Sequence, residues 1–343
     1  MNKPQLQTIC KRLHLELPSS LPTRVYGGLV HTMWKLQSEG SSFAIKQLNR
    51  NINFTEAVKK EFNLTEEIAH QYAQKNIPAI GAIKTNDVYL IEANDDMFLA
   101  YPWIHAHAIE ANSVSEEQGL KIAKILASIH LINLDAPDLH EPGFQIHTTD
   151  KLLTLIDQAE ESACPFAHDL QKYQTEIIAI NTLYQSAVPL LEKSIVVSHG
   201  DLDPKNVLWD ENDQPLLIDW EACRKLNPTY DIINVCLDWS GITTDQFNKT
   251  LFVKMIQTYI TAGGHIDKEI LEAAFYGTFG WINWMIYNIE RSCSAQEPEQ
   301  KTLGIEQVTQ TLRTLIKLNG MVPDLINATI CQINKTSTSQ DQQ

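Results

Sequence analysis

Three short apolar runs late in the chain, Ile195-Val196-Val197, Val207-Leu208-Trp209 and Leu216-Leu217-Ile218, lie only a few residues apart. Runs this short suit buried strands and do not suit stable helices. The first leads into SHGDLDPKNVLW, residues 198–209, where two aspartates, a lysine and an asparagine fall within six positions. The second and third are joined by Asp210-Glu211-Asn212-Asp213, a turn composition. A loop that leaves one buried strand and enters another holds its side chains at one end of a sheet, as a chemical centre requires. Asp219 follows the third run directly, so neighbouring strand ends deliver Asp201, Asn206 and Asp219.

Upstream, the first hundred residues read as a small sheet with one helix. Extended runs at 26–30, 32–36 and 43–46 surround the turn Ser38-Glu39-Gly40-Ser41, which predicts a hairpin. A helical pattern covers 55–76, with Phe62, Ala69, Tyr72 and Ala73 near one face, and Pro78 closes it. Strands at 88–92 and 97–101 flank the turn Asn94-Asp95-Asp96. After Pro102-Trp103 the character changes, and from Ser113 helical patterns dominate, at 116–132, 251–262, 268–290 and about 300–318. The reading is therefore an α+β chain with a first lobe at 1–103, a helical second lobe at 104–334 and a disordered polar tail at 335–343.

Composition bounds the partners. With 43% apolar residues in 343, the chain buries a sizeable core, and its net charge of −15 has no basic cluster to set against it. That excludes nucleic acid and anionic membrane as partners and is compatible with a cationic one. The six cysteines are scattered, without C-x-x-C pairs or zinc-ligand spacing, and read as buried apolar residues or surface thiols. No apolar run reaches the ~18 residues of a membrane helix, and Met1-Asn2-Lys3-Pro4 leads into no signal-like core, so a cytoplasmic setting is expected.

The chemistry lies in the oxygens. Asp201, Asn206 and Asp219 offer hard donors that suit Mg²⁺ when phosphate oxygens fill its other positions. His199-Gly200-Asp201 with Asn206 repeats the H-x-D-x-x-x-x-N spacing of a kinase catalytic loop, and Asp219 stands where the Asp of a D-F-G element falls. HGDLDPKNVLW followed by LLIDWE resembles the aminoglycoside phosphotransferase family of small-molecule kinases. FAIK, residues 43–46, resembles the V-A-I-K strand, and TEEIAHQYAQKNIP, residues 65–78, resembles the C-helix and the strand entry after it. The resemblance runs from about residue 24 to 240.

The resemblance implies a two-lobed, protein-kinase-like fold with a small, mainly β N-lobe carrying one C-helix and a larger, mainly helical C-lobe. It implies transfer of the γ-phosphoryl group of ATP or GTP to a hydroxyl of a small molecule, an aminoglycoside-like antibiotic or a metabolite such as choline, homoserine, thiamine or a sugar. Asp201 is then the base that orients the hydroxyl, and Asn206 and Asp219 hold Mg. Lys46 contacts the α/β-phosphates, braced by Glu66, with Glu67 as the rival. Gly27 and Gly28, the only glycine pair before Lys46, cover the phosphates, and the segment Tyr101 to Trp103 meets the adenine edge.

Each group has a plainer reading. Singly, Asp201, Asn206 and Asp219 are Asx-turn residues; with His-Gly before and the second strand after, the catalytic reading prevails. Lys46 alone is a solvent-facing strand lysine, and its 20-residue lead over Glu66 reverses that. His199 and Asp231 are read as structural, and His105 and His107 as surface residues. Asp203 and Lys205 touch substrate or are solvated loop charges. Trp281, Trp284, Tyr287 and Glu290 share one helix face, as core packing or as an aromatic wall for an organic cation; Glu221 is a further substrate candidate. The competing functions are a catalytically silent nucleotide-binding scaffold and a protein kinase. The intact Lys46, Asp201, Asn206 and Asp219 set opposes the first; the Gly of His-Gly-Asp and the lack of A-P-E oppose the second.

Overall fold

The computed structural model describes residues 1–25, 30–139, 143–294 and 297–340. Along the chain run α1 (Lys3–Arg12), β1 (Thr23–Val25), β2 (Thr32–Ser38), β3 (Ser41–Gln47), α2 (Glu56–Gln74), β4 (Ile91–Ala93), β5 (Asp96–Pro102) and β6 (His107–Ala108). Then come α3 (Glu116–Ile132), α4 (Thr149–Glu161), α5 (Ala167–Lys172), α6 (Gln174–Leu191), β7 (Val196–Ser198), β8 (Val207–Trp209), β9 (Pro215–Leu217) and β10 (Arg224–Leu226). The chain ends with α7 (Pro228–Trp239), α8 (Lys249–Thr261), α9 (Leu271–Gly277), α10 (Trp281–Ser294) and α11 (Pro298–Gln340).

Two compact units emerge. The first holds Met1–Ala108, Ala136–Leu139 and Asn206–Cys223; the second holds Ile109–Asp135, His140–Lys205 and Arg224–Gln343. In the first, an antiparallel sheet of order β1-β2-β3-β5-β4 is built from hairpins. Both tight turns place two residues at positive φ, Glu39 and Gly40 in one and Asn94 and Asp95 in the other, the twist that two-residue hairpins need. Period-two alternation sorts the side chains. Ile45, Phe98 and Ala100 join Leu6 and Ile9 of α1 in one cluster, while Met97 and Leu99 join Leu48, Ala82 and Leu90 in another. Lys46, next to Ile45 and paired in register with Leu99, belongs to the second face.

Helix α1 lies in the stretch read as sheet and one helix. Asn2 and Gln5 form its capping box, and Leu6, Ile9 and Cys10 are its buried face. β4 is shorter than expected because the amides of Tyr89 and Leu90 donate to the Asn63 side-chain oxygen instead of a strand partner. The run expected at 26–30 falls mainly on residues 26–29, outside the described residues.

A second small sheet, order β6-β8-β9, belongs to the same unit. It joins the segment after α2 through Leu217, whose amide donates to Pro78 O at 2.7 Å and whose carbonyl accepts from Ile80 N at 2.8 Å. Trp220 stacks on Tyr72 of α2 with ring centroids 5.3 Å apart.

The second unit is helical apart from the β7–β10 pair. Its core includes Ile122, Leu126 and Ile129 of α3, Ile232, Ile233 and Cys236 of α7, and Phe252 and Ile256 of α8, all buried. Each such side chain contributes roughly 1.5–3 kcal/mol by leaving water. The single helix expected at 268–290 is in fact two, α9 and α10, joined by a tight turn at Thr278–Gly280. The glycines there sit against the neighbouring core: a Cβ on Gly277 would lie 2.4 Å from Leu191 Cδ1, and one on Gly280 3.0 Å from the Tyr184 ring. In the tail region α11 runs to Gln340, and residues 341–343 lie outside the described residues. No described helix is long and apolar enough to cross a membrane.

Candidate active site

The site residues of the first unit meet at the end of the β8–β9 hairpin. Asn206 immediately precedes β8, and its carbonyl accepts from Ile218 N at 3.0 Å, so Asp219 is the next residue across the ladder. Asp219 adopts left-handed backbone geometry, φ 66° and ψ 55°, which turns the chain sharply into a short helical turn at Trp220–Ala222. Asp tolerates this region better than most residues but still at a cost of order 1 kcal/mol, a strain characteristic of functional loops.

Lys46 is buried, and its ammonium bonds two carboxylates, Asp219 Oδ1 at 2.6 Å and Glu221 Oε2 at 2.5 Å. Burial pulls its pKa down, and the two charges more than reverse that, leaving it raised. Glu221 is also claimed by His31, whose Nε2 lies 2.9 Å from Oε1. Burial pushes the Glu221 carboxyl up, but the His31 bond and the Lys46 charge win and hold it at about 2.

Glu66 is equally buried, yet its oxygens accept from Tyr101 Oη and Ala82 N, both at 2.6 Å. Burial raises its pKa above the ordinary range; Tyr101, Ala82 and, more weakly, the charge of Lys46 oppose this. Glu67, the rival, points away to Lys84 at 2.9 Å and Tyr89 Oη at 2.7 Å. Tyr101 thus serves Glu66 with its hydroxyl, while the Trp103 amide donates to Ser42 O at 3.0 Å and Lys35 lies 4.2 Å above the Trp103 ring. Gly27 and Gly28 lie outside the described residues.

In the second unit, β7 leads into the loop that carries Asp201. Gly200 has φ 80°, a conformation that any Cβ would strain, which gives the His-Gly-Asp glycine its reason. The loop is tied down by buried groups. Ser198 Oγ donates to Asp231 Oδ2 at 2.5 Å, and His130 Nε2 approaches the same oxygen at 2.9 Å, with Tyr259 Oη 2.7 Å from its Nδ1. Trp239 Nε1 donates to Leu202 O at 2.8 Å. His199 is fully buried, with Nδ1 accepting from Asp201 N at 3.4 Å. Asp201 itself is half-exposed.

Around Asp201 the charges form a set. Lys205 Nζ lies 2.9 Å from Asp203 Oδ2 and 3.5 Å from Asp201 Oδ2. Desolvation pulls the Lys205 pKa down, and Asp201 and Asp203 more than reverse it. Asp238 on α7 joins this set: burial, reinforced by Asp203 and Asp201, drives its carboxyl well above the ordinary range. Neither Asp238 nor His31 was singled out from sequence. The signal for Asp238 was its seven-residue spacing from Asp231, two turns along one helix face; His31 carried none.

On α10 the buried face is Ile282, Met285, Ile286 and Ile289. Trp281 and Trp284 are half-buried and Tyr287 is exposed, so this aromatic row is not the helix's core face. Trp284 and Tyr287 stack at 5.4 Å, the Trp284 indole donates to Gln307 at 2.9 Å, and Glu290 pairs with Lys151.

The donor set fits a hard cation. Asn206 and Asp219 offer oxygen at one hairpin end, and among the described residues no cluster of three or more His, Cys, Asp or Glu side chains forms a closed metal cage. A cation sharing its coordination with a phosphate needs no such cage.

A model of the phosphotransferase enzyme family, APH, matches residues 23–259. Among solved structures, spectinomycin phosphotransferase in complex with ADP and spectinomycin has a TM-score of 0.60 at 16% identity, over 90% of this chain and 92% of that one. An aminoglycoside phosphotransferase from Alicyclobacillus acidocaldarius has 0.59 at 16% identity, over 90% and 92%. Choline kinase from Cryptosporidium parvum has 0.55 at 15% identity, over 93% and 96%. At these identities the likeness carries the fold, which is protein-kinase-like, with an antiparallel sheet in one unit and helices in the other. No curated protein matches the chain in sequence.

Proposed function

Because the chain belongs to the phosphotransferase enzyme family, and so is an ATP-dependent phosphotransferase that uses a hydroxyl of a small molecule as acceptor, we propose roles for its residues. Asp201 orients the acceptor hydroxyl and takes its proton. Asn206 and Asp219 hold Mg²⁺, and Lys46 contacts the nucleotide phosphates. The observation that carries this reading is the meeting of Lys46 with Asp219 beside Asn206, three groups brought together from separate parts of the sequence.

Phosphoryl transfer asks little covalent chemistry of a protein. Its transition state is loose, so positioning and charge stabilisation supply most of the rate. When bound, Mg²⁺ supplies charge neutralisation on the phosphate oxygens. Lys46 supplies a fixed positive charge kept ionised by its carboxylates, and Asp201 supplies an acceptor for the proton that leaves late. The buried tie of Ser198 and His130 to Asp231 keeps the strand before Asp201 in place.

An acceptor that carries an amine or quaternary ammonium is the class favoured by charge. Asp201 and Asp203 both face Lys205, which leaves one carboxylate charge in excess beside the loop. The aromatic row Trp281, Trp284 and Tyr287 offers a face suited to an organic cation, whereas Glu290 is already paired.

Turnover is measured with ATP and a panel of amino alcohols, aminocyclitols and sugars, detecting phosphorylated product. Asp201→Asn lowers turnover by about 10²- to 10⁴-fold with MgATP affinity nearly unchanged, whereas Asp219→Ala weakens metal-dependent nucleotide binding. Full activity in Asp201→Asn removes the base assignment.

A further inference from the structure

We infer that Glu221, held by His31, is the brace that keeps Lys46 in position for the nucleotide phosphates, and that His31 is therefore a positioning residue for phosphoryl transfer. The inference rests on the phosphotransferase reading and extends it to a histidine outside the catalytic motifs.

A lysine that must hold phosphates needs a carboxylate that stays with it when the nucleotide and metal arrive. Three acids lie near Lys46. Asp219 bonds it at 2.6 Å, but in the proposed reaction Asp219 turns its oxygens to the metal. Glu66 spends both oxygens on Tyr101 and Ala82, and each is a bond that a buried carboxylate gives up at high cost. Glu221 remains: one oxygen takes Lys46 at 2.5 Å and the other takes His31 at 2.9 Å.

The direction of the histidine bonds follows from its other nitrogen. Asn49 N, which can only donate, lies 3.0 Å from His31 Nδ1, so Nδ1 is the acceptor and Nε2 carries the proton donated to Glu221. The ring is thus fixed at both ends between the backbone after β3 and the carboxylate. Its side chain is only 6% exposed, which excludes competing water. Glu221 cannot swing away from Lys46 without breaking this second bond. A solvent-exposed glutamate would hold a lysine loosely; one anchored at its far oxygen holds it in one place.

Three His31 variants separate this role from simple support of the fold. His31→Gln places an amide nitrogen where Nε2 stood and keeps the bond to Glu221. His31→Asn keeps an acceptor for Asn49 N but does not reach Glu221, and His31→Ala keeps neither. Affinity for Mg-AMPPNP is read by calorimetry, with thermal unfolding recorded in parallel. The expected result is that Glu221→Gln, His31→Asn and His31→Ala weaken binding about tenfold, in keeping with loss of a charge-assisted bond. His31→Gln stays within about threefold of the parent, and Glu66→Gln loses less affinity than Glu221→Gln.

Equal binding by His31→Asn and the parent, or a greater loss in Glu66→Gln than in Glu221→Gln, overturns the inference while leaving the phosphotransferase reading intact. Failure of the parent protein itself to bind Mg-AMPPNP overturns both. The unfolding midpoints decide between positioning and support: a drop in affinity that follows only a drop in stability across all variants also overturns it.

Discussion

Asp96 closes the turn between β4 and β5 and receives three side chains at once: Gln5 from α1, Gln47 from β3 and Arg50. The Arg50 bond, working against burial and aided by the Arg50 charge and the two glutamines, holds its carboxyl below the ordinary value of 3.8. A depressed carboxylate lends stability that is present above the ordinary value and lost as pH falls through the folded one. Asp96→Asn therefore flattens the acid limb of the unfolding midpoint below about pH 5 while the limb above pH 5 keeps its shape; an unchanged acid limb contradicts the assignment. At this scale the catalytic loop was the most legible part of the sequence, because its spacing is local and each residue type has one chemical use there. The partners of Lys46 were not legible: Asp219 and Glu221 lie 173 and 175 residues away, and the family resemblance pointed instead to Glu66 on α2.

Between elements, the joint of α9 and α10 shows packing overruling propensity. Apolar periodicity runs through Gly277 and Gly280 without interruption, so the sequence reads as one helix. What the sequence does not show is how closely Leu191, Tyr230 and Tyr184 approach these two glycines, which only tertiary structure reveals. Gly277→Ala gains up to ~1 kcal/mol of helix propensity, and Gly277 has an ordinary helical φ of −59°. Against that stands overpacking of a buried site, roughly 1–3 kcal/mol. The variant should unfold at a lower urea midpoint with an unchanged slope, and a higher midpoint would show that Leu191 and Tyr230 give way freely. The hairpins β2–β3 and β4–β5 were legible for the opposite reason: their turn residues must take positive φ, and Gly, Asn and Asp announce that in sequence. Helix α1 was missed because its ten residues, capped by Asn2, derive their order from the sheet face they cover.

For the molecule as a whole, ligand binding must appear as stability. At 100 times its dissociation constant, Mg-ADP adds about 2.7 kcal/mol, enough to raise the unfolding midpoint by several degrees. EDTA should remove the metal-dependent share of that rise, and Asp219→Ala should be insensitive to EDTA; a rise unaffected by EDTA in the parent protein argues against the metal role of Asn206 and Asp219. The first unit is also discontinuous in sequence, since Asn206–Cys223 packs with Met1–Ala108. During synthesis from the N-terminus, the five-stranded sheet can form early, but the hairpin that carries Asn206 and Asp219 emerges only after β7 and the helices before it have been made. Until then Lys46 waits on a nearly complete sheet without either of its counter-ions. A nascent chain halted before residue 206 therefore carries Lys46, on a surface destined for burial, with neither of the carboxylates that bond it in the finished protein.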